Sequence, residues 1–155
     1  MPFTPSSPVT GGAQTGLTSP TYTLTADNAP AAHGKQYAVT ALGGTQTGVE
    51  VHSISNPFTI TAFKVANPKG LPSPHPVTGV LSNVPKNNFK CVIRKGVEVM
   101  SGQPRQIAIF TLNMDIPAGA DIQDPESIRA ALSLLVGALS GESADMGDLL
   151  IQNVL

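Results

Sequence analysis

Lys90 and Arg94 stand four residues apart with Asn88 two before and Val92 between them. Thr111 and Asn113 follow in a second run with the same alternation. Residues two apart share one face of a β-strand. Two neighbouring strands with these residues on a common face would offer cations, amides and hydroxyls. That chemistry neutralises phosphates and hydrogen-bonds unpaired bases, without a covalent step. Thr59 and Thr61, in the alternating run Phe58-Thr59-Ile60-Thr61-Ala62-Phe63-Lys64, extend the same face.

Groups for other chemistry are scattered. His33, His52 and His75 have no ligand-type neighbour at metal-binding spacing, and Cys91 is the only cysteine. This excludes an internal disulfide and a cysteine-based metal site and predicts a buried free thiol. No nucleophile elbow, Walker loop or dinucleotide fingerprint occurs. Asp121 and Asp124, the nearest carboxylate pair, are explained by turn formation and helix capping. The chain is therefore expected to be no enzyme and to need no cofactor.

Charge is unevenly placed. The net charge is −1, yet eight of the nine basic residues (Lys35, Lys64, Lys69, Lys86, Lys90, Arg94, Lys95 and Arg105) lie in a span that holds only Glu50 and Glu98. From residue 106 onward the balance is −6. A basic middle beside an acidic end suits a polyanion on one surface.

The elements that must hold these residues are legible in the alternation. The 155 residues suit one domain. With 15 Gly, 14 Pro and only 12% charged residues, they favour short strands and turns over a bundle. Residues 1–20, rich in Pro, Ser, Thr and Gly, read as a flexible arm ahead of a single domain over 21–155, its sheet about 21–117 and its helices about 124–152. Strands are expected at Tyr22–Thr25, Tyr37–Leu42, Val49–His52, Phe58–Lys64, Phe89–Val99 and Ile107–Ile116, with a bend or bulge at Gly96. The proline-rich 67–88 segment reads as a long loop, with at most a short edge piece between Val77 and Val84. Asp124-Pro125-Glu126 has the N-cap acceptor, N1 proline and first-turn acid of a helix start. Ile128, Ala131, Leu132, Leu135, Val136 and Leu139 then form one apolar stripe, closed at Gly141. A second helix is expected over Ala144–Gln152. No stretch has the apolar length of a membrane span and no basic, apolar leader opens the chain, so neither a membrane nor a secretory route is expected.

The order of these elements, and above all Ile109-Phe110-Thr111-Leu112-Asn113-Met114-Asp115-Ile116-Pro117, the spacer to Asp124-Pro125 and the helix Ile128 to Leu139, resembles the coat proteins of the single-stranded RNA bacteriophages, the levivirus group. The resemblance implies an α+β fold: an N-terminal β-hairpin plus a five-stranded antiparallel sheet followed by two C-terminal helices, in an intertwined homodimer. The helix stripe Ile128, Leu132, Leu135 and Leu139 would then lie on a second subunit. It further implies a structural virion protein, assembled in the bacterial host cytoplasm, whose dimers form an icosahedral shell, commonly T=3. The partners would be the chain itself and single-stranded genomic RNA. RNA would lie on the sheet face away from the helices, at Asn88, Lys90, Val92, Arg94, Ile109, Thr111 and Asn113, with Thr59 and Thr61, and one RNA hairpin could repress replicase translation there. Ile109 stands where that family's pattern has a stacking tyrosine, and Val92 where it has a polar or basic residue. The loop Gly102, Gln103, Pro104 and Arg105 would meet neighbouring dimers at symmetry axes. The alternative is a β-rich binding or adhesion module with a self-contained sandwich.

Overall fold

A computed structural model describes residues 2–155. Its frame is a six-stranded, wholly antiparallel sheet in chain order: β1 (Val9–Thr10), β2 (Thr18–Asp27), β3 (Gly34–Thr45), β4 (Phe58–Phe63), β5 (Lys86–Val97) and β6 (Gln106–Pro117). Three helices follow: α1 (Ala120–Gln123), α2 (Pro125–Gly141) and α3 (Ser143–Gln152).

The register turns the sequence alternation into two faces. Phe58, Ile60 and Ala62 pair with Lys95, Ile93 and Cys91, which pair in turn with Ala108, Phe110 and Leu112. Phe89–Met114 and Asn87–Ile116 continue this face, which is the apolar one. The interleaved residues, Thr59–Arg94–Ile109, Thr61–Val92–Thr111 and Phe63–Lys90–Asn113, fall on the opposite face. This second row carries Thr59, Thr61, Lys90, Val92, Arg94, Ile109, Thr111 and Asn113 together, as their alternation requires.

The expected strand at Val49–His52 does not form. That stretch crosses from β3 to β4 as extended loop, tied by the His52 N–H to the Val39 carbonyl (2.8 Å) and by the Phe58 N–H to His52 Nδ1 (3.0 Å). Gly96 is no bulge, because β5 and β6 pair without a register shift through it. Its hydrogen is required by the Asn56 side chain, which occupies the space a Cβ would need. No strand forms between Val77 and Val84 either, where a turn is held by Val77 and Thr78 N–H groups on His75 Nδ1.

Residues of the arm lie on the sheet. β1 pairs with β2, Phe3 packs edge-on against Tyr37 with ring centroids 6.3 Å apart, and Ser7 Oγ accepts from the Leu24 N–H. Gln14 Nε2 donates to the carbonyl and hydroxyl oxygens of Ser143 (2.6 and 2.9 Å) and Thr15 Oγ1 to Asp148 Oδ2 (3.0 Å), so the arm also holds α3.

α2 begins as its sequence dictates, with Asp124 Oδ1 accepting from the Ser127 N–H (3.2 Å) and Pro125 in the first turn. No residue of α2 or α3 is buried. Among the described residues the buried apolar side chains are only Ala38, Val39 and Ala118.

Candidate nucleic-acid interface

The face away from the helices divides into two halves with different chemistry. On the β2–β4 side the polar groups satisfy one another. Thr61 Oγ1 donates to Gln36 Oε1 (2.9 Å), and Gln36 Nε2 donates to Asp27 Oδ2 (2.7 Å), a relay across three strands. That bond, with the Asn28 N–H on Asp27 Oδ1, holds the Asp27 carboxyl below the usual carboxylate range. Thr59 and Thr61 are 4% and 0% exposed. The Thr61 hydroxyl is already bonded within the sheet, to Gln36.

On the β5–β6 side the groups face outward. Lys90, Thr111 and Asn113 are exposed, Val92 and Arg94 are half-buried, and Ile109 is 62% exposed. Asn88 is half-buried and its amide donates to Asp115 Oδ1 (2.7 Å). The face thus presents two cations, a hydroxyl, an amide and one exposed aliphatic residue along two adjacent strands, with one carboxylate, Asp115, held by Asn88 at its end. Such a surface can hold phosphates by charge and bases by hydrogen bonds and contact. Among the described residues no group of three His, Cys, Asp or Glu is placed to hold a metal, and no helix is long and apolar enough to cross a membrane.

Among the described residues nothing fills the opposite face. α2 leans from the sheet margin so that Ile128, Ala131, Leu132 and Leu135 face Phe89, Met114 and Ile116 across an open apolar groove of about 670 Å³. Phe110 is 47% exposed, Leu132 43% and Leu139 44%. The whole chain exposes 10822 Å². A compact monomer of 16.0 kDa exposes about 7,400 Å².

Sequence reading did not find the anchoring of the β5–β6 loop. Gly102, Gln103 and Pro104 are exposed, whereas Arg105 Nη2 pairs with Glu50 Oε1 at 2.7 Å. Glu50 Oε2 accepts from Asn56 Nδ2 (2.6 Å), and Lys95 Nζ donates to the Glu50 carbonyl (3.1 Å) and Asn56 Oδ1 (3.2 Å). Burial, then the nearby Arg105, lower the Lys95 pKa, and Glu50 partly offsets them. These four residues come from three separated segments with no shared period, so only the fold could bring them together. Cys91 is a free, half-buried thiol on the apolar face, and burial pushes its pKa up.

The virus-like particle of bacteriophage ESE020 is built from a chain that is 48% identical to this one, matches over 99% of this chain and 100% of its own, and superposes with a TM-score of 0.96. The chain belongs to the coat-protein family of the single-stranded RNA bacteriophages. It is therefore a structural protein of the virion and not an enzyme, and the self-contained adhesion module is set aside. The virus-like particle of Wenzhou levi-like virus 4 gives a more distant match, 16% identical over 79% of this coat protein and 72% of that chain, with a TM-score of 0.41. No family model matches the sequence. No curated relative matches it either.

Proposed function

We propose that this coat protein folds to completion as an intertwined homodimer and that the dimers close into an icosahedral shell around single-stranded RNA. The observation that carries the reading is surface. The chain exposes 10822 Å², roughly 3,400 Å² more than a monomer of its mass should. That excess is far above the ~800 Å² per partner of an ordinary interface. Leu132 and Leu139 of α2 and Phe110 of the sheet face beneath it are part of that exposed surface.

A second copy fits both the groove and the edge. β6 is the outer strand of the sheet, twelve residues long and without a partner on its far side. An edge of that length pairs readily with another strand. Antiparallel pairing of β6 with its two-fold copy would make one continuous sheet and carry each α2 onto the partner's apolar face. Ile128, Leu132, Leu135 and Leu139 would then be buried, in an isologous interface. Dimerisation and folding would be one equilibrium.

In such a dimer the two β5–β6 faces adjoin, doubling Lys90, Arg94, Thr111 and Asn113 around the two-fold axis. This is the RNA-packaging surface, turned toward the shell interior. A replicase-repressing RNA hairpin would bind on the same face, with Ile109 in contact with a base where the family uses a stacked ring. The exposed 102–104 turn, with its base fixed by Arg105, would meet neighbouring dimers in a T=3 shell assembled in the host cytoplasm.

Expression of the chain alone in bacteria tests the reading. The void fraction of a sizing column should contain uniform hollow spheres by electron microscopy, with an ultraviolet absorbance ratio showing packaged nucleic acid and an image reconstruction giving T=3. A soluble monomer free of RNA would reject it.

A further inference from the structure

A cleft of about 450 Å³ lies at the margin of the sheet where β4 ends and β5 begins. That volume is within the ~300–1,000 Å³ of small-ligand sites. Its lining includes Lys64, Lys69, Lys86 and Lys90 and no carboxylate. The sequence from Val51 to Val97 contains six bases and not one Asp or Glu. None of the four lysines makes an ion pair among the described residues.

The lysines are carried on fixed backbone. The Lys69 N–H donates to Asn87 Oδ1 (2.8 Å) and Asn87 Nδ2 donates to the Lys69 carbonyl (3.1 Å), a reciprocal clamp that fastens the 64–69 segment to β5. The Lys64 N–H donates to the His33 carbonyl (3.0 Å), which fastens the start of that segment to the turn before β3. One wall is aromatic: His33 and Phe63 stand with ring centroids 5.7 Å apart, and Phe63 packs over Gly34. Asp115, held by the lining residue Asn88 (2.7 Å), lies beside the cleft without pairing with any of its lysines. Four clustered cations repel one another, and a bound anion relieves that repulsion.

We propose that this cleft is a second contact for single-stranded RNA: its lysines take successive backbone phosphates as the strand leaves the sheet face, and the Phe63–His33 wall takes a base or ribose. The proposal rests on the reading of the β5–β6 face as RNA-binding and extends it past the strand ends. Lys90 belongs to both surfaces and joins them. A duplex cannot place its paired bases against a recessed wall, so the cleft suits unpaired RNA.

The experiment is fluorescence anisotropy of a labelled oligouridylate with full-length protein freed of nucleic acid, across a salt series. Each single-strand phosphate neutralised contributes about 0.7 to the slope of log affinity against log salt. The variant Lys64→Ala/Lys69→Ala/Lys86→Ala should lower that slope by about 2. Lys35→Ala/Arg129→Ala, outside both surfaces, should leave it nearly unchanged. Loss in the triple variant no larger per charge than in this control would overturn the cleft and leave only a diffuse field. Steep wild-type binding that the triple variant leaves intact, while Arg94→Ala weakens it, would reject the cleft and keep the face. Absence of salt-dependent binding by the wild type would reject both. Acetylation of lysines on the unaltered protein, read by mass spectrometry, gives a check free of substitutions. Oligouridylate should protect Lys64, Lys69 and Lys86 and spare Lys35, and unchanged reactivity of the three would overturn the proposal.

Discussion

β4 and α2 invert the usual relation between polarity and burial. In β4 the hydroxyl residues Thr59 and Thr61 are 4% and 0% exposed; in α2 Leu132, Leu134, Val136 and Leu139 are all more than 40% exposed. β4 sits mid-sheet, with strands on both sides. The Thr61 hydroxyl is satisfied within the chain by Gln36. α2 leaves the sheet margin, and its own subunit supplies too little apolar surface to cover it. The difference teaches that β4 answers to this chain's own fold, while α2 answers to a second copy.

The largest effect should come from charging the stripe of α2. Leu135→Asp places a carboxylate where the partner's apolar face would close, and an unpaired buried charge costs several kcal/mol. Sizing chromatography should show complete loss of dimer and particles. Leu134→Asp, about 100° round the helix from Leu135, off the stripe and 75% exposed, should leave particles intact. Equal behaviour of the two variants would break the contrast between the faces.

A smaller effect is expected within β4. Thr61→Val keeps the shape but leaves Gln36 Oε1 without its donor, at a cost of about 1–2 kcal/mol. Chemical denaturation of the protein should show this drop while particle morphology is unchanged. The smallest effect should be at the start of α2. Asp124→Ala removes the acceptor of the Ser127 N–H, a loss of about 1 kcal/mol, read as a lower melting temperature.

Much of this division was legible in the residues. The alternation in Phe58–Lys64, Phe89–Arg94 and Ile109–Ile116 put Thr59, Thr61, Lys90, Val92, Arg94, Ile109, Thr111 and Asn113 on one face, as the register does, since a period of two leaves no other choice. The cap at Asp124 and the stripe from Ile128 gave α2 its start and its apolar face. What alternation could not reveal was depth: Thr59 and Thr61 lie on the expected face yet are buried, because a period of two gives a residue's face and not how far it is covered. Val49-Glu50-Val51-His52 alternates like a strand and is not one, since β3 runs on to Thr45 and pairs directly with β4. The cleft lysines sit in and beside a proline-rich loop with no period, so their charge was visible and their convergence was not.

The central claim is that β6 and α2 are completed by another copy of the chain, and amide hydrogen exchange resolved along β6 tests it most directly. In a single chain, the β6 N–H groups turned away from β5 face solvent and exchange fast. In the two-fold dimer they are bonded to the partner's β6. We expect both alternating sets of β6 amides, Gln106 to Ile116, to exchange slowly and together with the amides of α2. Fast exchange of the outward set in protein taken from intact particles would contradict the account.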